Sequence, residues 1–404
     1  MAAKPSSELA LRLADWAGSY QATPDDQALA DRSLRDTLSV AAAARGHAEV
    51  PLMAMLGPAG RLAALAHLID YDDLHVPTTT HISAVCVAAA LATRGGADAY
   101  LAGAGVMARL GVMLGWPHYD AGWHSTCTAG APAAAVTAAV ALGLDLPAIR
   151  VAIALAIPGA GGVSRAFGTS GKSLQVGFAA DAGVRAARLA AAGATADGGT
   201  LRQWLKLVGG AEAGSPDTPA IPGGLAVKAY PCCYALQRPI AATLEALNGE
   251  RPRAADVHEI VVRTPLVTVR PLIHDRPKTG MEGKFSLQYG VAAVILDGVP
   301  GLTSFTDAAV RRQDAQRLLD RVRLETTPGG EDLLAGATEI ELRLAGGRRY
   351  AARLETPPGA PGQPLGEAEL ARKARDCAGD HDASEIMAAD WNRARTLIDR
   401  WFAS

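Results

Sequence analysis

Alanine-rich apolar runs of helix length, each broken by a short polar island, constrain this chain more than any other feature. Alanine has the best helix propensity and almost no bulk, so such runs form closely packed helices rather than strands. The spacing predicts helices over Ser7–Tyr20, Ala28–Ala44, Arg61–Ile69, Ile82–Thr93, Ala97–Leu114, Ala129–Leu142, Pro147–Ala156 and Val176–Ala192. Several are apolar on most faces, which places them in the middle of a bundle. Aromatic residues are only 5% of the chain although hydrophobic residues are 49%, as expected for helices packed through small side chains. The stretch from Ala133 to Ile157 is apolar enough to be tested as a membrane span. Asp145, Pro147 and Arg150 break it, so it reads as two buried helices of a soluble protein.

The character changes after the Pro/Gly-rich segment Gly214–Gly224. His258–Arg263 and Val322–Glu325 read as strands, and Ser286–Leu296 and Asp307–Leu319 as helices. Glu339–Leu344 and Arg349–Leu354 flank Ala345-Gly346-Gly347, a hairpin signal. Leu365–Cys377 and Ala383–Phe402 are helical again. At 404 residues the chain is long enough for two domains, on a prior of roughly 150 residues each. The expected class is mainly α with an α+β second domain.

Charge and cysteine usage narrow the function. The formal net charge is −2, so no global field favours nucleic acid. Small anions are not excluded, because local groups bind them. Cys86, Cys127, Cys232, Cys233 and Cys377 form no Cys-x-x-Cys pair, which fits a reduced compartment. The first residues lack the apolar core of a signal peptide. The expected location is the cytoplasm, with no membrane partner.

Four polar islands carry the candidate chemistry. Gly122–Gly130, with His124, Ser125 and Thr126, precedes an alanine run. Helix starts leave free N–H groups that suit a carboxylate or phosphate, and His124 would face such a ligand. The plainer alternative is a capped buried helix with an incidental histidine. Asp70–His75 and Thr78–His81 gather three carboxylates and two imidazoles. Their spacing matches neither an EF-hand loop nor His-Glu-x-x-His, so proton transfer is favoured over a metal, with a solvated acidic loop as the alternative. Pro158–Ser173 contains two imitations. Gly171-Lys172-Ser173 ends like a phosphate-binding loop, but Ala166 occupies the place of its first glycine. Gly159-Ala160-Gly161 starts like a dinucleotide fingerprint, but Ser164 replaces the third glycine. What remains is a loop that delivers Lys172 to a helix start as a carboxylate anchor. Lys228–Pro239 offers Lys228 as a second anchor. Cys232 and Cys233 cannot ordinarily pair with each other without strain, and no general base beside them marks a nucleophile.

Taken in order, these islands resemble the MmgE/PrpD family, which includes 2-methylcitrate dehydratase, cis-aconitate decarboxylase and iminodisuccinate epimerase. The matching pieces are Asp70-Tyr71-Asp72-Asp73 with His81, Gly122-Trp123-His124-Ser125-Thr126, Gly168–Lys172 with Gly177–Ala180, Lys228–Tyr234, and Phe285–Tyr289 with Asp297-Gly298. They span the chain from about Asp70 to Gly298. The resemblance implies a helical domain over 1–224 and 365–404, with an α+β lid, 225–364, inserted between its parts. It implies a homodimer that acts on a small anionic di- or tricarboxylate with neither metal nor organic cofactor. By resemblance Asp72 or Asp73, His81, His124, Lys172, Lys228 and Tyr289 line the site, and Thr169, Ser125 and Cys233 join the substrate contacts.

Three positions depart from the family pattern: Ile82 where proline often follows the histidine, Gln237 where histidine is frequent, and Cys233 where decarboxylase-like members carry histidine. Glutamine cannot act as a general acid or base. The departures weaken the decarboxylase reading and favour a dehydratase, with an epimerase or isomerase next. A homologue that binds anions without catalysis has only Gln237 in its support. The shared chemistry of the group is proton movement, or carbanion stabilisation, at a carbon next to a carboxylate. His81 and His124 are the expected proton-transfer groups, with Asp72 or Asp73 tuning one of them, Lys172 and Lys228 holding carboxylates, and Tyr289 donating a hydrogen bond.

Overall fold

Helix starts in this chain are fixed by short local devices. Thr23 accepts from the N–H of Asp26, whose side chain bonds back to Thr23, and Pro24 opens the helix Pro24–Ala44. Asp145 caps Leu146–Ala156 in the same manner, with its side chain on the N–H of Ala148. A computed structural model describes residues 9–330 and 333–403; the predicted helix start at Ser7 lies outside them. The protein is mainly helical, 58%, with a small mixed sheet. Its residues group into two units.

The first unit comprises the residues up to Leu68, Asp72–Leu225, and Cys377 onward. Its centre is the helix Ser125–Ala141, which packs on Ala97–Asp120 and Gly171–Ala191 and is buried along nearly its whole length. Close approach is possible because side chains are missing where backbones meet. A Cβ on Gly183 would lie 2.5 Å from the carbonyl of Ala131, and one on Gly177 would lie 2.7 Å from that of Gly60. Asp181 then accepts from the N–H groups of Gly57 and Gly60, 2.7 Å each. A carboxylate on the long helix therefore caps the start of Pro58–His67. This fixes the helix that ends in His67 against the one that begins near Lys172.

The apolar segment from Ala133 onward is two helices, ending at Ala141 and Ala156. Ala97–Asp120 is long and apolar enough to cross a membrane by length and composition, but 83% of its apolar window is buried in the fold. The helical path stops at the predicted end, Leu114, because Gly115 at φ 63 leaves helical geometry, and a second helical stretch then runs on to Asp120. Thr200–Leu207 and Tyr234–Leu247 are helices that the periodicity does not single out. Predicted Asp307–Leu319 is instead two short helices, Asp307–Val310 and Gln313–Leu319.

The second unit comprises Ile69–Tyr71 and Ala226–Asp376. The chain leaves it inside the helix Glu367–Met387, just ahead of the break at Gly379. Its sheet is built from β1 (Val257–Pro265), β2 (Val322–Thr327), β3 (Thr338–Leu344) and β4 (Arg349–Leu354), in the order β2-β1-β3-β4. β1 runs parallel to β2, with Ile260 opposite Val322, and antiparallel to β3. β3 and β4 form the expected hairpin. Thr338, Ile340 and Leu342 face inward on alternate positions of β3. On the other face Arg263 and Arg343 bridge Glu325, Glu341 and Glu259 across the strands.

Candidate active site

The polar island from Asp70 to His81 owes its geometry to a helix end. His67 is the last residue of Pro58–His67, and the chain then returns so that Asp72 meets it. The His67 Nδ1 donates to Asp72 Oδ2 at 2.7 Å. The same oxygen lies 3.0 Å from His81 Nδ1. One carboxylate is thus shared by two imidazoles whose rings stand edge to face, 4.6 Å apart. All three residues are at most 9% exposed.

Burial fixes the charges. For Asp72 desolvation works against ionisation, but His81 beside it and the hydrogen bond from His67 outweigh it and hold the carboxyl well below the usual range. For His67 burial dominates, and its pKa falls to about 4 despite Asp72. His67 is therefore a neutral imidazole with its proton on Nδ1. Its Nε2 is a bare acceptor, buried with no hydrogen-bond partner among the described residues. Asp73 points elsewhere. Its carboxylate accepts from the hydroxyl and N–H of Ser83, and burial first, then Asp36 and Asp72, raises its pKa to about 7. Of the two candidate carboxylates, Asp72 touches the histidines and Asp73 does not.

His81 and His124 each stand just before a helix, Ile82–Ala92 and Ser125–Ala141. The His81 N–H donates to the Thr126 hydroxyl at 3.2 Å, which ties the two helix starts together. The ring of His124 lies 5.6 Å from that of His67 and meets the edge of Phe167 at 4.9 Å. Its pKa is held well below the ordinary value by burial, then by His67 and Lys172. Lys172 acts on His67 in the same sense. Its ammonium lies 5.9 Å from the Phe167 ring centre. Ser125 is buried at the first position of its helix. Thr169 is exposed; its hydroxyl donates to Ala166 and accepts from Gly171, closing the loop before Lys172. Among the described residues His67, Asp72 and His81 could also hold a metal ion, as could the more exposed His381, Asp382 and Glu385.

The remaining predicted residues belong to the second unit. Lys228 is 1% exposed, and its ammonium donates to the carbonyl of Asp70 at 2.8 Å and lies 3.4 Å from its carboxylate. Lys284 and Lys373 do the same for the carbonyls of Ile69 and Tyr71. Three successive carbonyls are thus held by three buried ammonium groups. Cys233 precedes Tyr234–Leu247 and its N–H donates to the carbonyl of Lys284. Tyr289 is buried, donates its hydroxyl to the carbonyl of Ser304, and is pushed by burial to a pKa of about 12.

Two family descriptions match the chain: the MmgE/PrpD N-terminal domain over residues 59–203 and the MmgE/PrpD C-terminal domain over residues 230–393. The chain belongs to the MmgE/PrpD family. It is 28% identical to the cis-aconitate decarboxylases of Mus musculus and Homo sapiens, over 66% and 68% of its length. It spans only 57% and 59% of those two proteins. It is 26% identical to the Aspergillus terreus cis-aconitate decarboxylase, over 78% of this chain and 73% of that protein.

Within this MmgE/PrpD chain, the departure at Gln237 has a structural use. Its Oε1 accepts from the N–H groups of Ala229 and Tyr230, and its Nε2 donates to the carbonyl of Tyr230. Both ends of the amide thereby clamp the loop after Lys228. Sequence reasoning missed His67, Phe167, Gln175 and Lys284. His67 was legible only as the polar end of an apolar helix, five residues before Asp72. Gln175 lies three residues after Lys172, one turn along the same helix.

Proposed function

We propose that this MmgE/PrpD protein is a cofactor-independent lyase of the dehydratase type acting on a small di- or tricarboxylate. The observation that carries the reading is the sharing of Asp72 by His67 and His81, with His124 and Lys172 beside them. An ionised carboxylate fixes the imidazoles in orientation, and burial makes proton exchange with a bound ligand favourable over exchange with water. His81 takes the proton at the carbon next to a carboxylate. His124 supplies a donor to the negative charge that develops. Lys172 neutralises a carboxylate, and Ser125 with the N–H groups at its helix start adds neutral donors. Loss of a β-hydroxyl from the carbanion is dehydration.

A second reading, decarboxylation, is favoured by the name that the three relatives share. Cys233, where decarboxylase-like members carry histidine, weighs against it. The test is incubation with citrate, aconitate, methylcitrate and aminodicarboxylates in deuterium oxide, read by mass spectrometry and carbon dioxide release. Loss of water is the expected result. Carbon dioxide release would replace it with the second reading, and incorporation alone would indicate an epimerase. A panel in which no compound exchanges, dehydrates or decarboxylates would overturn the proposal.

A further inference from the structure

We propose that Gln175 is a positioning residue that fixes the tautomer of His124, holding its one ring proton on Nε2. The inference deepens the proton-handling role given to His124 above and rests on that reading for its catalytic consequence, though not for the tautomer itself.

The argument begins with the orientation of an amide. The Oε1 of Gln175 accepts from the N–H of Val163 at 3.0 Å, while its Nε2 donates to the carbonyl of the same residue at 3.2 Å. Reversing the amide would set donor against donor and acceptor against acceptor, so Val163 decides which end is nitrogen. That nitrogen lies 2.7 Å from His124 Nδ1. An NH2 group only donates, so Nδ1 must be the acceptor and cannot carry hydrogen. The thiol of Cys127 approaches the same nitrogen at 3.2 Å, and burial keeps that thiol protonated, so it too offers a hydrogen.

Val163 is itself held. It forms an isolated bridge with Trp123, the N–H of His124 donates to Gly162 at 3.0 Å, and that of Ser164 donates to Gly122 at 2.9 Å. Gln175, Val163 and His124 therefore form one fixed triangle inside the first unit. A neutral imidazole with its proton on Nε2 presents a hydrogen-bond donor to a ligand, and His67, with its proton on Nδ1, presents an acceptor nearby. His124 then stabilises an enolate oxygen by donation, without net proton transfer, and His81 with Asp72 is left as the base.

The test is the nitrogen NMR spectrum of protein labelled with 15N-histidine, with His124 assigned by the signal lost in His124→Asn. The expected spectrum has His124 protonated at Nε2 and bare at Nδ1. Gln175→Glu places a carboxylate acceptor at Nδ1 and is expected to move the proton there. On the true substrate it should lower kcat by about a hundredfold, the size of one lost oxyanion donor, with KM changed by less than about threefold. A wild-type His124 protonated at Nδ1, or a Gln175→Glu variant with unchanged tautomer and kcat, overturns the proposal. The wild-type spectrum needs neither variant folding nor a known substrate. An Nε2 proton in a protein inactive on every polycarboxylate would sink the function proposed above and leave the tautomer standing.

Discussion

Replacing Asp73 by asparagine should stabilise the first unit, and increasingly so as pH rises. Asp73 is 1% exposed, and its pKa is raised from 3.8 to about 7, burial being the largest cause. Below pH 3.8 folded and unfolded chains both keep the proton, and the carboxyl has no effect on the balance. Between 3.8 and 7 the unfolded chain loses its proton while the folded one retains it, so stability falls with pH. At 1.36 kcal/mol for each pH unit, the loss is between about 1 and 2 kcal/mol at pH 5 and about 4 kcal/mol at pH 8. Asparagine never ionises. It can keep the local bonds, because the Ser83 hydroxyl can accept from the new amide and give its own hydrogen to the Tyr100 oxygen 2.9 Å away. The advantage of Asp73→Asn over the wild type should therefore grow by roughly 3 kcal/mol from pH 5 to pH 8. Urea unfolding followed by tryptophan fluorescence reads this directly, since all six tryptophans lie in the first unit. An advantage that is equal at the two pH values, or a variant less stable than wild type at pH 8, would refute the buried, protonated Asp73. Activity should survive the change.

The other expectations concern the site and its support. Asp72→Asn removes the charge that two imidazoles share, and turnover should fall by about 10²- to 10⁴-fold in steady-state assays with the substrate found above. Lys172→Met should raise KM by about tenfold or more with a smaller effect on kcat, as expected for lost carboxylate binding. Asp181→Ala leaves the N–H groups of Gly57 and Gly60 without their acceptor, and should cost about 1–2 kcal/mol of stability in the same fluorescence titration.

The helices of the first unit were legible because alanine-rich runs leave little choice, and their ends are written in Thr23-Pro24 and Asp145-Leu146-Pro147. The hairpin of β3 and β4 was legible from its glycine turn. Asp72, His81, His124 and Lys172 stood out as polar residues in apolar surroundings. Sequence could not choose between Asp72 and Asp73, because adjacent residues differ only in the direction their side chains take. The tertiary fold sends one to His67 and His81 and the other to Ser83.

Nor could spacing find His67 or Gln175. Both look like ordinary polar residues on helices, and their partners, Asp72 and His124, are supplied by how the chain turns back on itself. The same holds for Gln237, which reads as a lost acid–base group in sequence and is a loop clamp in the fold. Composition and local spacing determined that helices form and where polar groups interrupt them. Protonation states and tautomers were decided only by tertiary structure, because they depend on burial and on which atom faces which partner across segments far apart in the chain.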